Sequence, residues 1–191
     1  MTETTPGRLI VITGPMFSNK SGELLRLAEV HRIAGRRVGL FKHSLDERYS
    51  RAGEISTHSG ASEDCETVSS SAQVMLLAAG LDVVAIDEAQ FFDPALASRV
   101  RTLVEGGATV IAAGLDRNFR GNPFGPMPEL LALADDVIKL RAVCMRCRSL
   151  DATLTQRLID GRPARRGDPE ILIGAAESYE ARCRRCHQVL D

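Results

Sequence analysis

Leu9-Ile10-Val11-Ile12-Thr13-Gly14-Pro15-Met16-Phe17-Ser18-Asn19-Lys20-Ser21 is the stretch on which the reading of this chain turns. Leu9–Thr13 is short, apolar and rich in β-branched residues, the pattern of a buried strand. Gly14 ends it. Lys20–Ala34 then places Leu24, Leu25, Leu27, Ala28 and His31 at helical spacing until Gly35 stops the helix. A loop from Gly14 to Ser21, set between a strand and a helix and closing on Lys-Ser, is the context that a phosphate-binding loop requires. Successive backbone N–H groups converge on phosphate oxygens, and the helix N-terminus adds a partial positive charge. Lys20 supplies a full charge to the β and γ phosphates of a nucleotide triphosphate, and Ser21 offers a hydroxyl to magnesium. The residue before the lysine is Asn19 rather than glycine. Asparagine tolerates positive φ better than most residues, so the loop still closes, although its side chain stands close to the phosphates.

Outward from this loop, apolar runs alternate with helical segments. Arg37–Lys42, Leu81–Asp87, Ala108–Ala113 and Val137–Val143 read as further strands. Ser70–Ala79, Pro94–Glu105 (with proline at its start) and Glu129–Ala134 read as helices. Asp46–Cys65 is polar and rich in Ser, Gly and His, which predicts a loop. The alternation predicts an α/β domain with a mainly parallel sheet covered on both faces. After Val143 the rhythm gives way to cysteines, arginines, prolines and glycines. The expected organisation is therefore an α/β phosphate-loop domain over 1–143 and a small, loop-rich domain over 144–191.

Val83-Val84-Ala85-Ile86-Asp87-Glu88 ends a predicted strand on two carboxylates. In phosphate-loop enzymes an aspartate here holds magnesium, so Asp87 is the candidate. Side chains alternate along a strand, which turns Glu88 another way and makes it the candidate general base. Gln90 is placed to position either group.

Four of the five cysteines form two Cys-x-x-Cys pairs, Cys144/Cys147 and Cys183/Cys186, and Cys65 stands alone. Four thiolates satisfy tetrahedral zinc and leave no open position, so the expected site is structural. Arg148–Arg182 is then a long loop clamped at its base. His187 follows Cys186 and is an alternative ligand.

The 191 residues carry 24 basic and 25 acidic side chains for a net charge of −1, which gives no bulk basic field for nucleic acid. No apolar run at the start of the chain is long enough for a signal-peptide core or a membrane span, so neither a membrane nor a nucleic-acid partner is expected. The expected location is the cytosol.

Together these motifs resemble the zinc-containing type of thymidine kinase. The resemblance runs from Gly7 to His187. It rests on the stretches 14–21 and Asp87-Glu88-Ala89-Gln90-Phe91-Phe92, and on Ala112-Ala113-Gly114-Leu115-Asp116 with Phe119. Asn122-Pro123-Phe124-Gly125, Ala142-Val143-Cys144-x-x-Cys147 and Ile173-Gly174 before Tyr179 extend it. The resemblance implies a core like that of RecA-type ATPases, a homotetramer, and transfer of the γ-phosphate of ATP to the 5′-hydroxyl of thymidine. By matching motif it implies Glu88 as catalytic base, with Asp46 and Arg48 near the ATP phosphates. It implies Phe119 packed on the thymine ring. Glu170, Ile171, Leu172, Ile173, Gly174 and Tyr179 would form a lasso over the nucleoside, with the zinc fixing its ends. Met16 and Leu115 line the pocket or pack in the core. Two positions depart from the pattern: Asn19 replaces a glycine, and Gly22 stands where threonine is usual. His58 has no assigned role.

Two other readings fit parts of the sequence. One is a RecA-type ATPase with Gln90 as γ-phosphate sensor. The other is a zinc ribbon that binds nucleic acid through Arg182, Arg184 and Arg185, although Tyr179 is the one aromatic available there for stacking.

Overall fold

The computed structural model describes residues 7–45, 53–56, 62–171 and 177–191. Asp46, Arg48, His58, Leu172, Ile173 and Gly174 lie outside them.

Eleven strands and four α-helices are described: β1 (Arg8–Thr13), α1 (Lys20–Ile33), β2 (Val38–His43), β3 (Glu54–Ser56), β4 (Ser62–Asp64), β5 (Glu66–Val68), α2 (Ser71–Leu77), β6 (Val83–Asp87), α3 (Leu96–Glu105), β7 (Thr109–Gly114), α4 (Met127–Leu133), β8 (Asp136–Lys139), β9 (Leu154–Ile159), β10 (Arg162–Pro163) and β11 (Glu177–Arg182). Six strands make one sheet in the order β5-β2-β6-β7-β1-β8. Every pairing in it is parallel. This is the parallel α/β core that the alternation of apolar strands and helices predicts.

The alternation of side chains sorts the strand residues into two cores. Val11, Val84, Ile86, Val110 and Ala112 pack on one face with Val74 of α2, Leu96 and Val100 of α3, and Met127 and Leu130 of α4. Ile12, Val83, Ala85, Ile111 and Ala113 pack on the other with Leu24, Leu25 and Ala28 of α1. Burial on both faces explains the continuous apolar runs of the central strands. Helix α2 starts where Ser70 caps it, its hydroxyl accepting the Gln73 N–H.

Two predicted loops contain strands. Within Asp46–Cys65, β3 and β4 pair antiparallel. Within Arg148–Arg182, β9 pairs antiparallel with both β10 and β11 to form a three-stranded sheet. This segment is therefore not a plain clamped loop. The strand predicted over Val137–Val143 is shorter and ends at Lys139. A third small core of Ala142, Cys144, Ala152, Ala181, Cys183 and Cys186 lies beside the second sheet. Six small side chains bury too little apolar surface to hold such a sheet alone.

Candidate active site and metal centre

In a parallel sheet the loops after the strand C-termini share one edge, where such folds bind ligands. Here β1 leads into 14–21, β6 ends on Asp87, and β7 leads into 115–119. One strand, β7, separates the other two.

The loop after β1 is closely built. Gly14 has φ 150°, and a Cβ there would lie 2.6 Å from the Leu140 carbonyl oxygen and 2.8 Å from Ser18 Oγ. Only glycine fits that approach. The Ser18 hydroxyl donates to the Pro15 carbonyl at 2.8 Å, and the Lys20 ammonium donates to the same carbonyl at 2.9 Å. Lys20 is buried. Burial pulls its pKa below the ordinary lysine value, while the carboxylates of Glu88, Asp87 and Asp116 act in the opposite sense. A polyanion entering the loop would add to those carboxylates and hold the ammonium charged. Asn19 takes φ 64° and ψ 36°, the left-handed conformation that its residue type tolerates. Phe17 also has positive φ and is partly exposed, Met16 is half-buried, and Ser21 is half-buried in the first turn of α1.

Asp87 is 2% exposed and its Oδ1 accepts the Glu88 N–H at 2.9 Å. Glu88 lies past the end of β6 in a left-handed turn with φ 54°, so strand alternation does not set the direction of its side chain. Gln90 is buried in the following 3₁₀ turn, Ala89–Phe91. Its Nε2 donates to Glu88 Oε2 at 2.5 Å, and its Oε1 accepts the Leu115 N–H at 2.9 Å. Gln90 thus ties Glu88 to the residue that follows β7. Asp116 is buried beside them and accepts from Lys139 at 2.9 Å. Burial pushes its carboxyl up, but Lys139 and Arg117 outweigh this and hold it below the usual carboxylate range.

The segment around Phe119 is the hub between the two sheets. Its ring is 4% exposed, with the Arg157 guanidinium 4.0 Å and the Arg120 guanidinium 4.5 Å from the ring centroid. Arg157 is fully buried and donates to the carbonyls of Pro169 (2.6 and 2.7 Å) and Glu170 (3.1 Å). Arg120 donates to the carbonyls of Arg166 and Asp168, and Asn118 to the carboxylate of Glu170. Residues 166–170, which lead into the expected lasso, are thereby held from below. Glu170 and Ile171 are exposed, and Tyr179 pairs with Arg157 across β9 and β11. Thr155 joins the second sheet to the phosphate loop: its hydroxyl accepts the Met16 N–H at 3.0 Å.

The sulfur atoms of Cys144, Cys147, Cys183 and Cys186 all lie within 4.8 Å of one another, with Cys147 and Cys183 at 3.7 Å. Tetrahedral zinc with bonds of about 2.3 Å sets sulfurs roughly 3.8 Å apart, so the cluster fits that ion. Burial opposes ionisation of Cys144, but the N–H groups of Cys147, Cys183 and Arg146 outweigh it and bring its pKa down to about 6. Burial and the neighbouring thiols push Cys186 up to about 12. Such divergence is what four thiols sharing one position produce, and a cation resolves it by taking all four as thiolates. His187 does not join them. Its Nε2 bonds the Phe119 carbonyl at 2.9 Å, so the residue that follows Cys186 ties the cysteine module to the Phe119 hub. Cys65 is half-buried, and burial pushes its thiol up to about 11.

Sequence reasoning missed Asn118, Arg120, Thr155 and Arg157. Arginine and threonine on a polar stretch look like surface, and only the pairing of β9 with β11 reveals them as interior.

A parallel sheet with a lysine-bearing loop and an acidic turn at one edge, and a four-cysteine module beside it, defines a nucleotide-binding phosphotransferase of the phosphate-loop class. A protein-family model described as thymidine kinase matches residues 7–187, and the chain belongs to that family. It is an ATP-dependent phosphotransferase whose family acts on thymidine. The four-cysteine cluster agrees with the zinc-containing type. No helix among the described residues is long and apolar enough to cross a membrane.

Proposed function

We propose that the protein transfers the γ-phosphate of ATP to the 5′-hydroxyl of thymidine, giving dTMP and ADP, with Glu88 as the catalytic base. The carrying observation is that Gln90 holds the Glu88 carboxylate at the sheet edge reached by the lysine-bearing loop. The backbone N–H groups of 14–21 and the Lys20 ammonium bind the triphosphate. Asp87 and Ser21, a carboxylate and a hydroxyl, are hard oxygen donors of the kind magnesium takes and would hold it with the nucleotide. Magnesium, when bound, neutralises charge on the β and γ oxygens. Glu88 accepts the 5′-hydroxyl proton as O5′ bonds to the γ-phosphorus. The bond from that phosphorus to the bridging oxygen breaks, and the electron pair leaves on ADP. Asp46 and Arg48 act near the phosphates by motif match alone.

Phe119 forms a wall of the thymine pocket. Its ring is already covered by guanidinium groups, so it presents whichever part they leave open, with Arg157 and Arg120 fixing its place. Backbone groups of Glu170, Ile171, Leu172, Ile173 and Gly174, with Tyr179, grip the base. Residues 1–143 and 144–191 act as nucleotide-binding and lasso domains of a cytosolic homotetramer. Arg141 and Asp151 pair at 2.5 Å beside Arg184 and Arg185, which reduces the basic field that a nucleic-acid partner would need. A coupled ADP-release assay should show turnover that requires thymidine. ADP release independent of any nucleoside would favour an ATPase and sink the proposal.

A further inference from the structure

Asn19 and Gly22 are one turn apart at the start of α1, and each breaks an ordinary preference. Glycine within a helix costs about 1 kcal/mol relative to alanine. Asn19 precedes the helix in a left-handed conformation, yet its side chain makes no capping hydrogen bond. The contact between them accounts for both. A Cβ built on Gly22 would lie 2.3 Å from Asn19 Oδ1, 2.6 Å from Nδ2 and 2.7 Å from Cγ. The whole carboxamide therefore rests on the bare Cα of Gly22. Any side chain at 22 would displace it, and because the obstacle is the end of a side chain, displacement is feasible.

Asn19 is exposed, its carboxamide lies against Gly22 in the first turn of α1, and its loop also carries the buried Lys20 ammonium. We propose that Asn19 and Gly22 act as one nucleotide-binding unit. Gly22 leaves the first turn bare so that the Asn19 carboxamide lies on it and donates an Nδ2 hydrogen to an oxygen of the bound triphosphate, on the α-phosphate side of the loop. The pair thus replaces a side chain at 22 with one that reaches over from 19. The inference rests on the kinase reading, and it deepens the loop's role from a backbone cradle to one with its own side-chain donor.

The test is a double-mutant cycle read by calorimetric binding of magnesium-ATP to the full chain, with thermal melting alongside. Asn19→Gly should weaken binding about tenfold or more, the loss of one hydrogen bond to a charged group. Gly22→Ala should weaken it to a similar degree by expelling the carboxamide, while the melting temperature holds or rises because alanine favours helix. The double variant should match Asn19→Gly alone rather than show the product of the two effects. Asn19→Asp keeps the shape but loses the donor, and should bind more weakly than Asn19→Gly. Gly22→Ala binding as tightly as the parent, or effects that multiply, would overturn the unit. Variants that shift melting but leave ATP binding unchanged would reduce Asn19 to a structural role and equally overturn it. A parent that binds ATP but leaves thymidine unphosphorylated would defeat the kinase reading and leave the cycle readable, whereas thymidine turnover with a null cycle would defeat this inference alone.

Discussion

Glu88 gains its orientation from two local features, a left-handed backbone and a hydrogen bond from Gln90. Neither requires substrate, so if Glu88 is the base proposed above, its carboxylate is held before the nucleoside arrives and needs little reorganisation during proton transfer. Glu88→Gln keeps the shape and can still meet Gln90, but it cannot accept a proton. Its kcat should fall by about 10²–10⁴ while ATP affinity stays within a few-fold, because a positioned base contributes on that scale. Steady-state kinetics with an ATP titration checks this, and near-normal kcat would remove Glu88 from the chemistry. At this scale the sequence was informative. Lys20, Asp87, Glu88 and the four cysteines announce themselves by residue type and spacing. The left-handed turn at Glu88 does not, since nothing in Asp-Glu-Ala-Gln forbids the strand from running one residue further.

Strand β9, Leu-Thr-Gln-Arg-Leu-Ile, shows why other elements stayed hidden. Thr155, Gln156 and Arg157 are all buried, so the strand carries polar residues where an interior strand usually carries apolar ones. Its partner β11 is equally polar in sequence, and β3 and β4 are three residues each. Hydrophobic periodicity cannot report such strands. Five of the six parallel strands were legible as apolar runs, the central ones because both their faces are buried, whereas β5 (Glu-Thr-Val at the sheet edge) is too short and too polar to announce itself. The polar interior of β9 also has a purpose: Arg157 reaches the Pro169 and Glu170 carbonyls and covers Phe119. Arg157→Met retains bulk but removes the donors. It should raise the KM for thymidine at least about tenfold, the scale of losing hydrogen bonds to a charged group, with the KM for ATP little changed. Removing a buried donor set also leaves carbonyls unsatisfied, so some loss of melting temperature is expected. Equal effects on both substrates would show that Arg157 supports the fold generally rather than the lasso.

For the molecule as a whole, two cores of unequal strength are joined at a few points. The parallel sheet rests on two extensive apolar clusters, whereas the apolar cluster beside the second sheet consists of three alanines and three of the four clustered cysteines. Zinc held by these four cysteines would therefore supply much of the second region's stability. Stripping the metal with a chelator, or Cys144→Ser, should loosen residues 144–191 and abolish thymidine-dependent turnover. Far-UV circular dichroism should retain most of its helical signal, because all four described helices belong to the larger core. Metal uptake should weaken as pH falls, since each thiol must lose a proton to bind. Cooperative loss of the entire fold on chelation would contradict this division.

The bond from the Met16 amide to Thr155 gives the molecule a built-in reporter. That amide belongs to the phosphate loop, but its acceptor belongs to the sheet that carries the four-cysteine cluster. Its hydrogen-exchange protection should therefore track whether the distant module is docked, even without nucleotide. Exchange at Met16 should quicken on zinc removal while amides inside β6 and β7 keep their protection, and exchange that is indifferent to the metal would refute the link. One proton at the rim of the cradle would then serve as a gauge of metal occupancy, readable in a protein that is doing no chemistry at all.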